Sequence, residues 1–393
     1  MSRIDELIKR YCPDGVEYVP LNEAFDLRNG FTPSKSNAGY WTNGEIPWFR
    51  MEDIREYGRN LSGSLQLVNM SALKGSGTFE ENSIIMSTSA TIGEHALITI
   101  PFLANQRFTI ITRKPAFKDR LEPRFVFYFS FRLAQFCKEN THVSGFAGVD
   151  MDKFRKFAFA IPPLEVQREI VSILDTFTQL EAELEAELEA RKRQLRHFST
   201  QLLSFEPTFY AETVEQLCEV NRGRVMSKDY LRDNQGEFPV YSSQTLNNGI
   251  FGYINNYDYD FESLTWTTDG ANAGSIFYHV DEKFSITNVC GLLKVRNLEQ
   301  VSTKYLYLQL NHMAKKYVKA GMGNPKLMSN IMKSISIPLP ERKIQDEIVQ
   351  ALESLEWITR DLSSGLPAEI AARRQQYEYY RDQLLTFNEL TST

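Results

Sequence analysis

Cysteine is scarce in this 393-residue chain: Cys12, Cys137, Cys218 and Cys290 are the four present, far apart and never as C-x-x-C. That excludes a zinc knuckle and a redox pair, and marks them as reduced packing residues. Long apolar runs are missing too. The longest, such as Phe157 to Ile161 and Phe125 to Phe129, fall far short of the ~18 to 20 residues that a membrane-spanning helix needs. The opening MSRIDELIKRY has no uninterrupted apolar core of the kind a secretory signal requires; it predicts a short amphipathic helix, and a cytoplasmic location is the expectation. Net positive charge is absent as well, the formal charge being -6.

Catalytic equipment is equally thin. No G-x-x-x-x-G-K-[ST] phosphate loop exists, and no GK dipeptide occurs anywhere. The Asn324-Pro325-Lys326 and Pro162-Pro163-Leu164 stretches do not make the (N/D/S)-P-P-(Y/F) motif of DNA amino-methyltransferases. Pro13-Asp14 has no partner carboxylates and lysine with which to hold Mg²⁺ as a nuclease must. The five histidines, His95, His142, His197, His279 and His312, stand isolated in sequence and read as surface or packing residues. No catalytic residue, metal ligand or cofactor site is expected.

What is present is a two-fold repeat. Gln167, Glu169, Ile170, Val171 and Leu174 recur as Gln345, Glu347, Ile348, Val349 and Leu352, each 178 positions on, after the proline-terminated stretches AFAIPPLEVQ and ISIPLPERKIQ. RKRQLRHFSTQLLSF from Arg191 matches RRQQYEYYRDQLLTF from Arg373 at an offset of 182. Leu21, Phe25, Leu27 and Gly30 match Val214, Cys218, Val220 and Gly223 at an offset of 193. Each half is a strand-rich region, with runs such as Ser83–Met86, Phe108–Thr112 and Gly249–Ile254 between turn residues, followed by a helix of roughly forty residues. Helical spacing also predicts Pro123 to Lys138 and its counterpart Thr303 to Lys319. The predicted boundaries are 1–162, 163–205, 206–337 and 338–393.

The long helices carry heptads. With Ile170 at d, the a and d sites of the first helix run through Leu174, Phe177, Glu181, Leu184, Leu188, Arg191, Leu195, Phe198, Leu202 and Phe205, so nine of eleven are apolar. The second keeps this frame through Ile348, Leu352, Leu355, Thr359, Leu362 and Leu366, then resumes four residues late at Tyr377, Tyr380, Leu384 and Phe387. That is a stutter, expected at Ser363 to Pro367, where Gly and Pro also break helices. The helices hold the acidity, 8 acidic against 5 basic residues in 163–205 and 10 against 6 in 338–393, which leaves the globular parts near neutral. A forty-residue helix rises ~60 Å, whereas the eight residues between Phe205 and Val214 span at most ~30 Å. The second globular region is therefore expected at the far end of helix one, with helix two returning antiparallel.

This order of pieces, TPSK at Thr32, IPWFRMEDI at Ile46, IPPLEVQREIV at Ile161, FPVYSSQTLNNGIFGYI at Phe238, IPLPERKIQDEIV at Ile337 and ARRQQYEYYRDQLLTF at Ala372, resembles the specificity subunits of type I restriction-modification systems over essentially the whole chain. The first helix departs from the family's wording at RQLRHFSTQLL. The resemblance implies an α+β fold: two pseudo-symmetric mixed α/β target recognition domains joined by two long antiparallel coiled-coil helices. It implies double-stranded DNA as ligand, with two modification (methyltransferase) subunits and restriction subunits as partners and no membrane. A hidden methyltransferase or nuclease site and a coiled-coil scaffold indifferent to DNA are the competing readings.

Arg reads guanine and Asn or Gln reads adenine through paired hydrogen bonds, so loops rich in amide, hydroxyl and basic side chains are candidate readers. In the first domain these are Thr32, Ser34, Lys35, Arg50, Thr88, Thr91, Asn105, Gln106 and Arg107; in the second, Ser242, Ser243, Gln244, Asn247, Asn248, Thr268, Asn272, Asn288 and Lys326. The same residue types also cap turns. The tandem tetrapeptides led by Leu180, Leu184 and Leu188 mark a spacer helix able to gain or lose units. The acidic run Glu181 to Glu189 reads as a solvated face, and Tyr379, off the heptad stripe, as a partner-docking residue.

Overall fold

The computed structural model describes residues 3–73, 75, 77–144, 146–206, 208–319, 324–360 and 365–390. The chain divides into two compact units, Met1–Glu183 with Ala371–Thr393, and Leu184–Ile370.

In the first, α1 (Arg3–Tyr11) and β1 (Glu17–Pro20) lead through a single helical turn, α2 (Leu21–Ala24), into β2 (Phe25–Asn29). Then come β3 (Ile46–Phe49), α3 (Met51–Tyr57), β4 (Asn60–Leu61), β5 (Leu67–Val68), β6 (Ser83–Ser87), β7 (His95–Ile98), β8 (Leu103–Ala104) and β9 (Phe108–Arg113). α4 (Pro123–Glu139), the hairpin β10 (Thr141–Ser144) and β11 (Phe146–Val149), α5 (Met151–Arg155) and β12 (Ala158–Ile161) complete the globular part. Five strands form one sheet in the order β2-β9-β6-β7-β4, and β5-β3-β8 form a second. β6 is buried along its whole length because both faces of the sheet are covered. Ile84 and Met86 point into a core with Phe125, Phe129 and Leu133 of α4, while Ile85 points into another with Trp48, Phe49 and Leu103. A continuous apolar run is what such a two-sided strand needs.

A single 40-residue helix, α6 (Leu164–Leu203), follows. The second unit then repeats the plan with β13 (Ala211–Thr213), α7 (Val214–Leu217), β14 (Cys218–Arg222), α8 (Lys228–Asp233), β15 (Phe238–Tyr241), β16 (Ile250–Ile254), β17 (Ser263–Thr267), β18 (Ile276–His279), β19 (Ser285–Ile286) and β20 (Cys290–Val295). α9 (Thr303–Met313), shorter than expected and continued by a 3-10 turn to Tyr317, α10 (Ser329–Lys333) and β21 (Ser336–Pro338) lead to α11 (Arg342–Arg360) and α12 (Leu366–Leu384). Its sheets run β14-β20-β17-β18 and β16-β15-β19.

The repeat extends to buried hydrogen bonds. Gln167, at the start of α6, accepts from the Glu122 N–H at 2.9 Å and donates to the carbonyls of Arg120 and Pro162 at 2.7 and 2.6 Å. Gln345, at the start of α11, accepts from the Ser302 N–H at 3.0 Å and donates to Gln300 and Pro340 at 2.9 Å each. Both are fully buried, and each locks the head of a long helix to the cap of the helix that packs on its sheet. Leu203 and Leu385, 182 positions apart, are buried in the cores of the second and first units.

Within the first unit α6 and α12 run antiparallel, Phe177 stacking on Tyr380 with centroids 5.5 Å apart and Arg374 pairing with Glu181. That ion pair accounts for a carboxylate on the apolar stripe. Phe198, expected on the same stripe, is instead 41% exposed. The expected helix break falls partly outside the described residues: α11 ends at Arg360 and α12 begins at Leu366, with Pro367 in its first turn, where a missing N–H is harmless. Leu362 lies outside the described residues. Leu184 and Leu188 are half-buried but Leu180 is 40% exposed, and Glu187 and Glu189 pair with Arg191 and Lys192, all four side chains partly exposed.

Candidate nucleic-acid interface

In each unit one end of the sheet system gathers the candidate residues, and the same backbone bonds build both ends. The Thr88 N–H donates to the Arg107 carbonyl at 3.1 Å, as Thr268 does to Val289 at 3.1 Å. Asn105 donates to Phe49 at 3.0 Å, as Thr287 does to Tyr241 at 2.9 Å. Val149 donates to Thr88, and Leu327 to Thr268, both at 3.0 Å. The tight crossing is possible because Gly30 and Gly223 have no side chain. A Cβ at Gly30 would lie 2.3 Å from the carbonyl oxygens of Ala104 and Asn105, and one at Gly223 2.1 Å from that of Ile286.

On this frame the first unit brings together Thr32, Arg50, Thr88, Asn105, Gln106 and Arg107. Thr32 hydrogen-bonds Gln106, Asn105 Oδ1 accepts from the Arg107 N–H at 2.8 Å, and Arg50 directly follows the residue to which Asn105 donates. Two indoles hold the adjoining loop: Trp41 donates to the Ser34 carbonyl and Trp48 to that of Phe31, both at 3.0 Å. Ser34 and Lys35 are thereby presented exposed. Arg50 lies over the Trp48 ring at 5.6 Å. Thr91 sits in the turn after β6, its hydroxyl 3.3 Å from that of Ser87.

In the second unit Ser242, Ser243, Gln244, Asn247 and Asn248 form the loop after β15. Asn247 and Asn248 adopt left-handed backbone, with φ of 50° and 52°, which asparagine tolerates better than most residues. The Thr287 hydroxyl donates to Ser242 Oγ at 2.9 Å, Gln244 donates to the Ile250 carbonyl, and Asn272 donates to Thr245 Oγ1 at 3.0 Å. Asn288 and Lys326 are exposed alongside. Thr268 differs from the rest. It is 1% exposed and its hydroxyl donates to the Val289 carbonyl at 2.9 Å, so it is a support beneath the edge and not part of its surface.

Two side chains at these edges escaped the sequence reading, Asn29 and Arg222. The signal was there: each immediately precedes one of the matched glycines. Asn29 Oδ1 accepts from Thr109 Oγ1 at 3.1 Å, itself 3.1 Å from Thr88 Oγ1. Arg222 Nη2 donates to Thr268 Oγ1 at 3.0 Å and to the Asn288 carbonyl at 2.8 Å.

The histidines are less isolated than their spacing suggests. His142 faces Asp150 at 3.2 Å. His279 Nε2 accepts from Thr265 Oγ1 at 2.8 Å while its Nδ1–H faces Glu282 at 3.0 Å, and the Tyr241 hydroxyl donates to the same carboxylate at 2.7 Å. Those hydrogen bonds, His279 foremost, hold the Glu282 carboxyl below its ordinary range. The order hydroxyl, imidazole, carboxylate is that of an activated nucleophile, but Thr265 is 0% exposed and no substrate reaches it. The set braces Tyr241, from which the Ser242 loop departs. Among the described residues no cluster of three His, Cys, Asp or Glu side chains could hold a metal ion, and no helix is long and apolar enough to cross a membrane.

The family model of the type I restriction modification DNA specificity domain matches this chain twice, over residues 13–190 and 211–372. The chain is 38% identical over 383 residues to the type I restriction enzyme EcoprrI specificity subunit of Escherichia coli, covering 92% of this chain and 93% of that one. In fold it is similar to the HsdS subunit from Thermoanaerobacter tengcongensis, with a TM-score of 0.56 at 14% identity over 95% of this chain and 97% of that one. It is also similar to a chain of a type I R-M system solved for its assembly and conformational transition, with a TM-score of 0.63 at 13% identity over 95% and 98%. The chain therefore belongs to the specificity subunits of type I restriction-modification systems. It is the non-catalytic member of its complex, binding DNA and the other subunits.

Proposed function

We propose that each unit reads one short half-site of duplex DNA with the edge described above, so that the whole target is bipartite and asymmetric with a fixed run of unread bases between. The observation that carries this is the duplicated edge: one backbone frame, built twice, presenting different side chains. Two readers one helical turn of DNA apart, ~34 Å, are within reach of a ~60 Å helix. Reading domains are assigned to 1–162 and 206–337, spacer and docking helices to 163–205 and 338–393. The duplicated helices suit two modification subunits, with restriction subunits added to that core in the cytoplasm. Tyr379, 62% exposed on α12, is the docking residue. With near-neutral recognition domains the subunit alone binds DNA weakly, since phosphate neutralisation supplies most non-specific affinity.

Mapping methylated positions in a host with and without the gene tests the reading. Two short motifs at constant separation are expected, and a single continuous motif overturns it. Mass measurement of the modification complex, with two modification subunits expected per specificity subunit, tests the docking.

A further inference from the structure

We infer that the position just before each twin glycine is a base-reading position, and that Arg222 reads a guanine in the second half-site. This rests on the half-site reading above. β14 ends at Arg222, whose side chain is exposed. Its Nη2 is spent on Thr268 Oγ1 and the Asn288 carbonyl, and both partners are themselves fixed by the frame that joins Thr268 to Val289. Nε and Nη1, carrying three N–H donors, have no hydrogen-bond partner among the described residues. A guanidinium pinned at one corner has already lost its rotamer freedom, so presenting the remaining donors costs little further ordering.

Charge singles out the same residue. Of the four arginines in 206–337, Arg224 faces Asp258 at 3.2 Å, Arg232 faces Asp229 at 2.8 Å and Arg296 faces Glu219 at 3.9 Å. Among the described residues Arg222 faces no carboxylate, and its two partners are uncharged. A cation left unneutralised beside Asn288, at the edge where the reading loops converge, is placed for an electron-rich ligand. Guanine alone offers two adjacent acceptors, O6 and N7, in the major groove, which the two N–H groups of Nη1 can address together as a single amino nitrogen does, whereas adenine sets a donor beside its acceptor and thymine a methyl group.

The first unit supports the assignment of the position. Asn29, 193 residues earlier, is also exposed and is tied through Thr109 to Thr88, the counterpart of Thr268. In both units a threonine at the foot of the edge steadies the side chain at this position.

The test uses the complete modification complex, with target sites mapped for the unsubstituted subunit and for R222A, R222M and N29A. R222A is expected to lose roughly 10- to 100-fold of its preference for guanine at one position of the second half-site, leaving the first half-site and the spacer unchanged. N29A should leave the second half-site untouched. R222M, uncharged but of similar length, substitutes for R222A if the latter fails to assemble. A uniformly lower rate with every base preference kept would mean a phosphate contact and overturn the inference, as would a second half-site without guanine. Failure of both variants to assemble would assign Arg222 to the fold instead. An unsubstituted enzyme whose target is not bipartite overturns the half-site reading itself, whereas a bipartite target insensitive to Arg222 overturns this inference alone.

Discussion

At the proposed reading edge of the first unit Thr88 reaches Asn29 through the hydroxyl of Thr109, whereas in the second Thr268 meets Arg222 directly. The reason lies one strand away. Asn29 pairs with Thr109 across β2 and β9, and Arg222 with Gly291 across β14 and β20. Gly291 cannot be threonine, because a Cβ there would lie 2.1 to 2.3 Å from the Trp266 ring, and Trp266 stands where the first unit has Met86. The larger core residue Trp266 thus leaves no hydroxyl at this place in the second unit, where a longer, charged side chain stands instead. The comparison separates two layers: a backbone frame that the units share to a tenth of an ångström in several hydrogen bonds, and a side-chain layer free to diverge. The proposed reading of two different half-sites needs that separation.

The shared layer should be the most fragile. Replacing Gln167 or Gln345 with Leu leaves one N–H and two carbonyls buried without partners, and each substitution is expected to destabilise its own unit by about 3 to 5 kcal/mol. Calorimetric unfolding of the two variants should give similar losses; a large loss for one and none for the other would break the equivalence. Gly30→Ala and Gly223→Ala drive a methyl into backbone oxygens, and about 2 to 3 kcal/mol each is expected, again nearly equal in denaturant titrations.

A further contrast separates the units by pH. His95 begins β7 where Ile276 begins β18. Its Nδ1–H donates to the Gly93 carbonyl at 3.0 Å and its Nε2 is buried without a partner. Burial, aided by Arg59, Arg381 and Lys138, pulls it down to about 3. The unfolded chain takes up a proton below about pH 6.5 that the folded one refuses, so stability falls as pH drops from there towards 3, by up to about 1.4 kcal/mol per pH unit. His95→Phe should flatten that slope in melting curves across pH; an unchanged slope would show that His95 is not its source.

The smallest expected effect concerns α6, the proposed spacer helix. One Leu-Glu-Ala-Glu unit inserted after Glu187 adds ~6 Å and ~40° to α6, against ~3.4 Å and about 35° for one base pair. Since a domain facing the wrong side of the duplex cannot reach its groove, rotation decides. The insertion should widen the spacer by one base pair, and an unchanged spacer in methylated-site maps would show that the helix is not the ruler.

Much of this architecture was legible in the sequence because duplication and heptad spacing are long-range patterns that survive side-chain detail. Gly30 with Gly223 and Gln167 with Gln345 were matched by offset alone and proved to be matched in contact as well. The edge was legible only in outline. Residue type located the loops, but Thr268 is hidden by the strand pairing above it, and no composition could foretell that Trp266 would empty position 291 and turn Arg222 towards Thr268. Phe198 shows the same limit on the helix, where heptad position alone did not bring burial.

The most direct test of two independent readers on a shared frame is exchange of residues 206–337 for the corresponding domain of a relative with a different target, followed by methylated-site mapping of the reconstituted enzyme. One half-site should change completely while the other half-site and the spacer stay as they were. A change in both half-sites, or a new spacer without any change in the helices, would contradict independent reading.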